Sequence, residues 1–281
     1  MMLPFTRTST SVLPGYRLSM GVTLAWLFII VLLPLSVLMV SFAHIPLEAM
    51  LKTLANPRVQ SAFLVSFSSA TMAAIVATLL GLLIAWVLTR YHFYGAPLLD
   101  ALIDIPFALP TAIAGIALSA IYAPDGWVGQ WLQPLGIELV FNRAGIVLAL
   151  IFLGIPFVVR SVEPVLAELD SELEEAAGSL GASKFQVFRY VILPHIAPAL
   201  LSGFALAFAR GLGEYGSVIF LAGNVPEVSE IVPLAIITAL EGYDMQGAIV
   251  MAVVMLLLSF AVLYFFNWLQ ARLRRSMGER P

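Results

Sequence analysis

The 281-residue chain contains no cysteine. Disulfide frameworks and thiolate metal sites are therefore excluded. Charge is nearly as scarce: Asp, Glu, Lys and Arg make up 11% of the residues, where a soluble domain carries about a quarter. Only Lys52 and Lys184 represent lysine, and neither ends a glycine-rich phosphate loop, so the chain does not bind ATP in that way. His44, His92 and His195 are scattered without ligand spacing, and no Ser/His/Asp constellation is visible. Covalent catalysis, a metal and a cofactor are accordingly not expected. Arg272, Arg274, Arg275 and Arg280 form the one basic cluster; it reads as an anchor for a final span, and nucleic-acid binding is not expected. Serine/glycine linkers, low-complexity tracts and obvious internal repeats are missing too.

What is present is apolar. Hydrophobic residues make up 61% of the chain, so its surface cannot be covered with polar groups and lipid must serve as solvent. Six stretches are long enough to cross a bilayer core as helices: Ser19 to Phe42, Phe63 to Thr89, Ala101 to Tyr122, Gly145 to Val162, Ala199 to Ala222, and Gly247 to Leu269. Spanning β-strands would be shorter and would alternate. The first run is too long for a signal peptide and lacks a small-residue cleavage site after it, so it reads as a retained helix. Ile231 to Leu240 is apolar but too short to span, and reads as a short helix against the outer face.

Six spans place both termini on one side. If that side is cytoplasmic, the inner segments hold ten Lys or Arg residues, Arg90, Arg160, Lys184 and Arg189 among them, and the outer loops hold only Lys52, Arg58 and Arg143. This obeys the positive-inside rule. The expected organisation is an N-terminal cytoplasmic segment (1–18), one membrane domain (19–271) and a cytoplasmic tail (272–281).

The longest inner loop, 163–195, changes composition abruptly. Ser171 and Glu174 have capping-box spacing, and Glu172, Glu174 and Glu175 favour a helix first turn. Leu173, Ala177 and Leu180 share a face, and Gly181 is placed to stop the helix. Ser183 to Gln186 reads as a second cap, opening a second short helix that ends before Pro194. By spacing alone, two short helices about a glycine turn also suit an ordinary amphipathic connector.

Two charges fall inside the fifth span. Arg210 and Glu214 are four apart, so they can neutralise each other on one helix face. Intramembrane charge defaults to a functional hypothesis, here a polar patch facing a partner subunit and lining a route across the membrane; a purely structural pair is the alternative. Asp104 opens the third span beside Pro106 and Pro110, either as an interfacial cap or as a path residue. Gly211, Gly213 and Gly216 predict close packing around the fifth span.

Glu175-Ala176-Ala177, Gly181, Val191 and Leu193-Pro194 resemble the EAA loop of bacterial ABC-importer permeases: Glu-Ala-Ala, three residues, Gly, nine residues, an aliphatic residue, one residue, Leu-Pro. Val191 stands where isoleucine is usual. Leu13-Pro14-Gly15-Tyr16, Leu88-Thr89-Arg90-Tyr91, Asp104 to Thr111, Ile155 to Arg160 and Gly213 to Phe220 are similar to the T-type sulfate permease family, over nearly the whole chain. W-type subunits and molybdate permeases share parts of this pattern.

The resemblance implies an all-α membrane protein of six transmembrane helices, with the type I ABC-importer permease (MetI-like) fold, in a bacterial inner membrane. It implies a homologous W-type permease, two ATPase subunits and a periplasmic sulfate-binding protein as partners. Glu175 would meet a basic or polar group of the ATPase, Ala176 and Ala177 would permit close approach, and Gly181 would supply the turn. Sulfate or thiosulfate as cargo is carried by the resemblance alone. The alternatives are a permease for molybdate or another oxyanion, and a gradient-driven transporter, for which Glu214 is the sole strong coupling carboxylate.

Overall fold

The computed structural model describes residues 16–276. Leu13, Pro14, Gly15 and Arg280, used above, lie outside the described residues. Every regular element in 16–276 is a helix. In order these are α1 (Tyr16–Leu27), α2 (Leu33–Ala43), α3 (Leu47–Leu54), α4 (Pro57–Arg90), α5 (Ala96–Ile103), α6 (Ile105–Ala108), α7 (Thr111–Tyr122) and α8 (Gly129–Leu132). There follow α9 (Arg143–Glu168), α10 (Ser171–Ser179), α11 (Lys184–Val187), α12 (Leu193–Leu212), α13 (Val218–Leu221), α14 (Val232–Glu241) and α15 (Met245–Ser276).

By length and composition, five helices suffice to cross a membrane, and six if a bent pair counts as one span. They match the six expected stretches, most of them extended by a turn or more. α14 is the short apolar helix read at 231–240.

The described residues fall into two units, divided after residue 47. In the first, α1 and α2 are joined through a π turn, Phe28–Leu32, and the resulting span, Leu18–Ala43, is apolar on all sides. Such a helix suits a lipid surround. Pro34 explains the π turn: its ring would clash with the carbonyl four residues back, at Ile30, and a wider turn removes the clash.

In the second unit, α4, α9 and α12 form the centre. Ala70, Ala73, Ala74, Ala77, Gly81 and Ala85 recur at helical spacing and are buried along one face of α4. The stripe packs in one core with α9 and α12, where Leu153, Gly154, Val158 and Val162 of the former and Gly203, Ala207 and Phe208 of the latter are buried. A Cβ added to Gly81 would lie 2.7 Å from the Val158 Cβ, and one added to Gly203 would lie 2.8 Å from the Val158 Cα. Val158 is thus held between two glycines on neighbouring helices. α15 closes against α12 through Phe266, which meets the rings of Phe204 and Phe208 at centroid distances of 5.1 and 6.0 Å. Near the same end, Gln270 donates to the Ser202 hydroxyl over 2.5 Å.

Three expectations require correction. The third span is not a single helix: 96–108 and 111–122 meet at a bend of 115°. Pro110 lacks an N–H and forces Leu109 into extended geometry (φ −83°, ψ 135°). The fifth span ends at Leu212 rather than near Ala222, because Gly213 and the side-chain bonds of Glu214 replace the helical pattern there. The second loop helix does not stop before Pro194. A second π turn, Phe188–Ile192, absorbs the proline and carries α11 into α12 as one helix, Lys184–Leu212. Here too the π turn lies over the residue four before a proline, Tyr190.

The glycine contacts generate a stability prediction. Gly203→Ala should lower stability by about 1–3 kcal/mol, because the backbone of α9 must shift. Gly178, with nothing near its missing Cβ, is the control: Gly178→Ala should be neutral or slightly stabilising. Unfolding midpoints in detergent decide between them, and equal midpoints for both variants would contradict the close approach.

Candidate functional site

The segment between α9 and α12 is built from local capping. Asp170, not Ser171, opens α10: its carboxylate accepts from the Glu172 N–H at 3.0 Å. The capping box read at Ser171–Glu174 is therefore replaced by an Asp cap one residue earlier, since Glu174 is engaged elsewhere. The helix ends as its glycine predicts. Gly181 has φ +84°, its N–H bonds the Gly178 carbonyl at 2.9 Å, and Ala182 N–H bonds the Ala177 carbonyl at 3.1 Å. The second cap is present: Ser183 N–H donates to Gln186 Oε1 at 2.7 Å, and Gln186 N–H returns to Ser183 Oγ at 3.4 Å.

Glu175, Ala176, Gly181 and Pro194 are exposed, while Ala177 and Leu193 are half-buried. Leu180 is 90% exposed and Phe185 73%, and Leu173 and Tyr190 are open as well. Four large apolar side chains crowded on one short loop have the composition of a contact surface rather than of a solvated connector.

Glu174 faces the spans instead. It forms an ion pair with Arg90, the last residue of α4. The Arg90 guanidinium lies 5.6 Å from the Trp86 ring centroid, and Trp86 meets Phe188 of the π turn edge-on at 5.7 Å. Trp86, Glu174, Lys184, Phe188 and Ile192 line a cavity of about 340 Å³ beneath the loop. Reasoning from sequence missed Arg90 as a site residue. Its position, closing a long apolar span, was the available signal.

Arg210 and Glu214 are brought together, though Glu214 lies in the turn after α12 rather than on the helix. Arg210 Nη1 is 2.6 Å from Glu214 Oε2, and the Glu214 side chain is 2% exposed. Its other oxygen accepts from the Ser217 N–H and hydroxyl, each at 2.9 Å. Arg210 remains 36% exposed, so its charge is only partly covered.

Asp104 belongs to a separate cluster. It takes a bidentate contact from Arg160, Nε–Oδ1 at 3.1 Å and Nη2–Oδ2 at 2.6 Å. Asp100 and Glu163 meet the same guanidinium at 2.7 and 2.9 Å. At the opposite end of α4 lies another pair absent from the sequence reading. Arg58 donates twice to Glu230, both at 2.7 Å, and Glu230 is 1% exposed. Arg58 and Lys52 border a cavity of about 500 Å³ there.

The family of binding-protein-dependent transport system inner membrane components matches residues 77–275. The sulfate transport system permease protein CysT of Escherichia coli (strain K12) is 45% identical, with 98% of this chain and 100% of that protein covered. A probable sulfate transport system permease protein cysT of Nephroselmis olivacea is also 45% identical, with 92% and 91% covered. Among solved structures, a bacterial ABC transporter involved in the import of alginate superposes with a TM-score of 0.76 at 16% identity, covering 92% of this chain and 96% of that one. An inward-facing methionine ABC transporter, MetNI, gives 0.51 at 21% identity, covering 78% and 93%. At these identities the structural likeness establishes the fold.

The buried carboxylate yields a prediction. Arg210→Leu leaves the Glu214 charge unpaired and should cost about 3–5 kcal/mol of stability. Adding Glu214→Leu should recover a large part of that loss. If the single and double variants unfold alike in detergent, Glu214 is not held by Arg210.

Proposed function

The chain belongs to the binding-protein-dependent transport system inner membrane components, and on that premise we propose that it is the T-type permease subunit of a sulfate/thiosulfate ABC importer. The observation that carries the reading is the end-to-end match to relatives named as sulfate permeases. The chain is a multi-pass membrane protein that performs no covalent chemistry. It works beside a homologous W-type permease, with two ATPase subunits on the cytoplasmic side and a periplasmic sulfate-binding protein on the other.

Both termini are cytoplasmic in this reading, which places Arg90, α10 and α11 at the ATPase. The charge distribution supports it, because lysines and arginines concentrate at that end. The membrane domain is the span set within 19–271, with the loop 163–195 as its contact to the motor.

ATPase closure presses on the exposed face of α10 and α11. Glu175 meets a basic or polar group of the ATPase, while Ala176 and Ala177 permit close approach. Gly181 holds the two helices in their relative direction, since its positive φ is one that a side chain would strain. Leu193 and Pro194 lie just beyond the π turn that leads α11 into α12, so movement of the loop reaches the membrane through one helix. Along the path, the exposed part of Arg210 offsets the charge of a dianion. Glu214, by sharing that guanidinium, prevents tight retention. Asp104, held by Arg160 through two contacts, is the third candidate for the path.

Two measurements test the reading. Reconstituted with its partner subunits, the chain should support sulfate uptake that follows ATP and is indifferent to an imposed ion gradient; gradient-driven uptake without ATP would sink the assignment. Glu175→Lys should leave the subunit inserted and assembled, yet reduce uptake by about tenfold or more, equivalent to about 1.4 kcal/mol in the limiting step. Unchanged uptake would remove Glu175 from the contact.

A further inference from the structure

The two halves of the bent third span are held in different ways. α7 is fixed by backbone. Ala114 and Gly115 are buried, and a Cβ on Gly115 would lie 2.5 Å from the Ser217 carbonyl oxygen. Gly216 in turn packs against Thr111. The other half, 96–108, has a single buried residue, Ile103. It is tied to α9 through the Arg160 side chain, which forks to Asp100 and Asp104 and donates to the Asp100 carbonyl at 3.3 Å, and through an edge-on contact between Phe107 and Phe157 at 5.0 Å. Between the halves, Leu109 and Pro110 are extended, with ψ 135° and 131°.

The tie is built to open. One guanidinium faces three carboxylates, so the cluster carries excess negative charge. Asp100 and Asp104 stand four apart on the chain and repel each other. Asp100 Oδ1 lies at ion-pair distance from Arg160 but makes no hydrogen bond. Arg160, Asp100 and Asp104 are 34%, 45% and 46% exposed, so the groups can part without any of them being left as a fully buried charge.

We propose that residues 96–108 are a moving arm that swings on Leu109–Pro110 in each transport cycle, and that Arg160 is the positioning residue that clasps it to α9 in the state seen here. The inference rests on the permease reading. Arg160 acts on the arm through Asp100 and Asp104, and Glu163, three residues along the same helix, keeps the guanidinium oriented when the arm departs.

The absence of cysteine from this chain permits a direct test. Leu98→Cys on the exposed face of the arm and Ala167→Cys near the end of α9 would carry spin labels, in an assembly whose other subunits are free of reactive cysteine. Distances are measured in proteoliposomes, without nucleotide and after trapping with ATP and vanadate. The arm predicts a change of about 5 Å or more in the distance distribution on trapping, the scale of a one-turn shift. With Arg160→Gln, the nucleotide-free distribution should already broaden toward the trapped one. Distances that stay put while ATP-driven uptake proceeds overturn the arm and leave the permease reading intact. An Arg160→Gln distribution identical to the parent's overturns the clasp. Failure of the unsubstituted assembly to take up sulfate with ATP overturns the reading on which the arm rests.

Discussion

In hydrocarbon a helix gains nothing by burying leucine, because lipid tails are as apolar as the partner would be. Association must come from contact itself, which requires backbones to approach closely. Here that condition is met around Val158, between Gly81 of α4 and Gly203 of α12. The alanine stripe of α4 extends the same geometry along the helix, and Gly154 continues it on α9, where an added Cβ would sit 3.1 Å from the Ala77 Cβ. The spans that flank the loop, α9 and α12, are therefore also the spans that make the centre. Anything that moves the loop acts on the most tightly packed part of the molecule.

Polar groups are spent sparingly and mostly in pairs. Arg58 with Glu230, Arg90 with Glu174, Arg160 with its three carboxylates and Arg210 with Glu214 each join segments distant in sequence or fix the end of a helix. The pairs differ in burial, and the difference separates their roles. Glu230 and Glu214 are sealed from solvent, so losing a partner leaves a stranded charge. The Arg160 cluster is open, and its members can part without that penalty.

The spans were legible because apolar runs of this length have one solution in a bilayer. The second loop cap at Ser183 and the turn at Gly181 were legible because each depends on residues close in sequence. What was not legible depended on tertiary context or on backbone chemistry that allows more than one outcome. Pro194 was read as a stop, yet a π turn carried the helix through it, whereas Pro110 did break the third span. The same residue type gave opposite results: before Pro194 the helix widened into a π turn, while before Pro110 the chain left the helix at Leu109. Ser171 lost the cap to Asp170 because Glu174, its expected reciprocal partner, pairs with Arg90 from a span eighty-four residues away. That Asp104 would pair with Arg160 was not legible either, since no local pattern announces the contact.

The helix from Lys184 to Leu212 has 29 residues and runs from the loop into the packed centre. At 1.5 Å per residue, its loop end stands about 28 Å from Gly203, and Arg210 lies about 10 Å beyond that glycine. Gly203 abuts the α9 backbone, where an added Cβ would lie 2.8 Å from the Val158 Cα. A rod pivoting there is an unequal lever. A displacement of its loop end appears at Arg210 reversed in direction and reduced to about a third. Under such a pivot, a large excursion of the loop would become a small one beside the buried carboxylate.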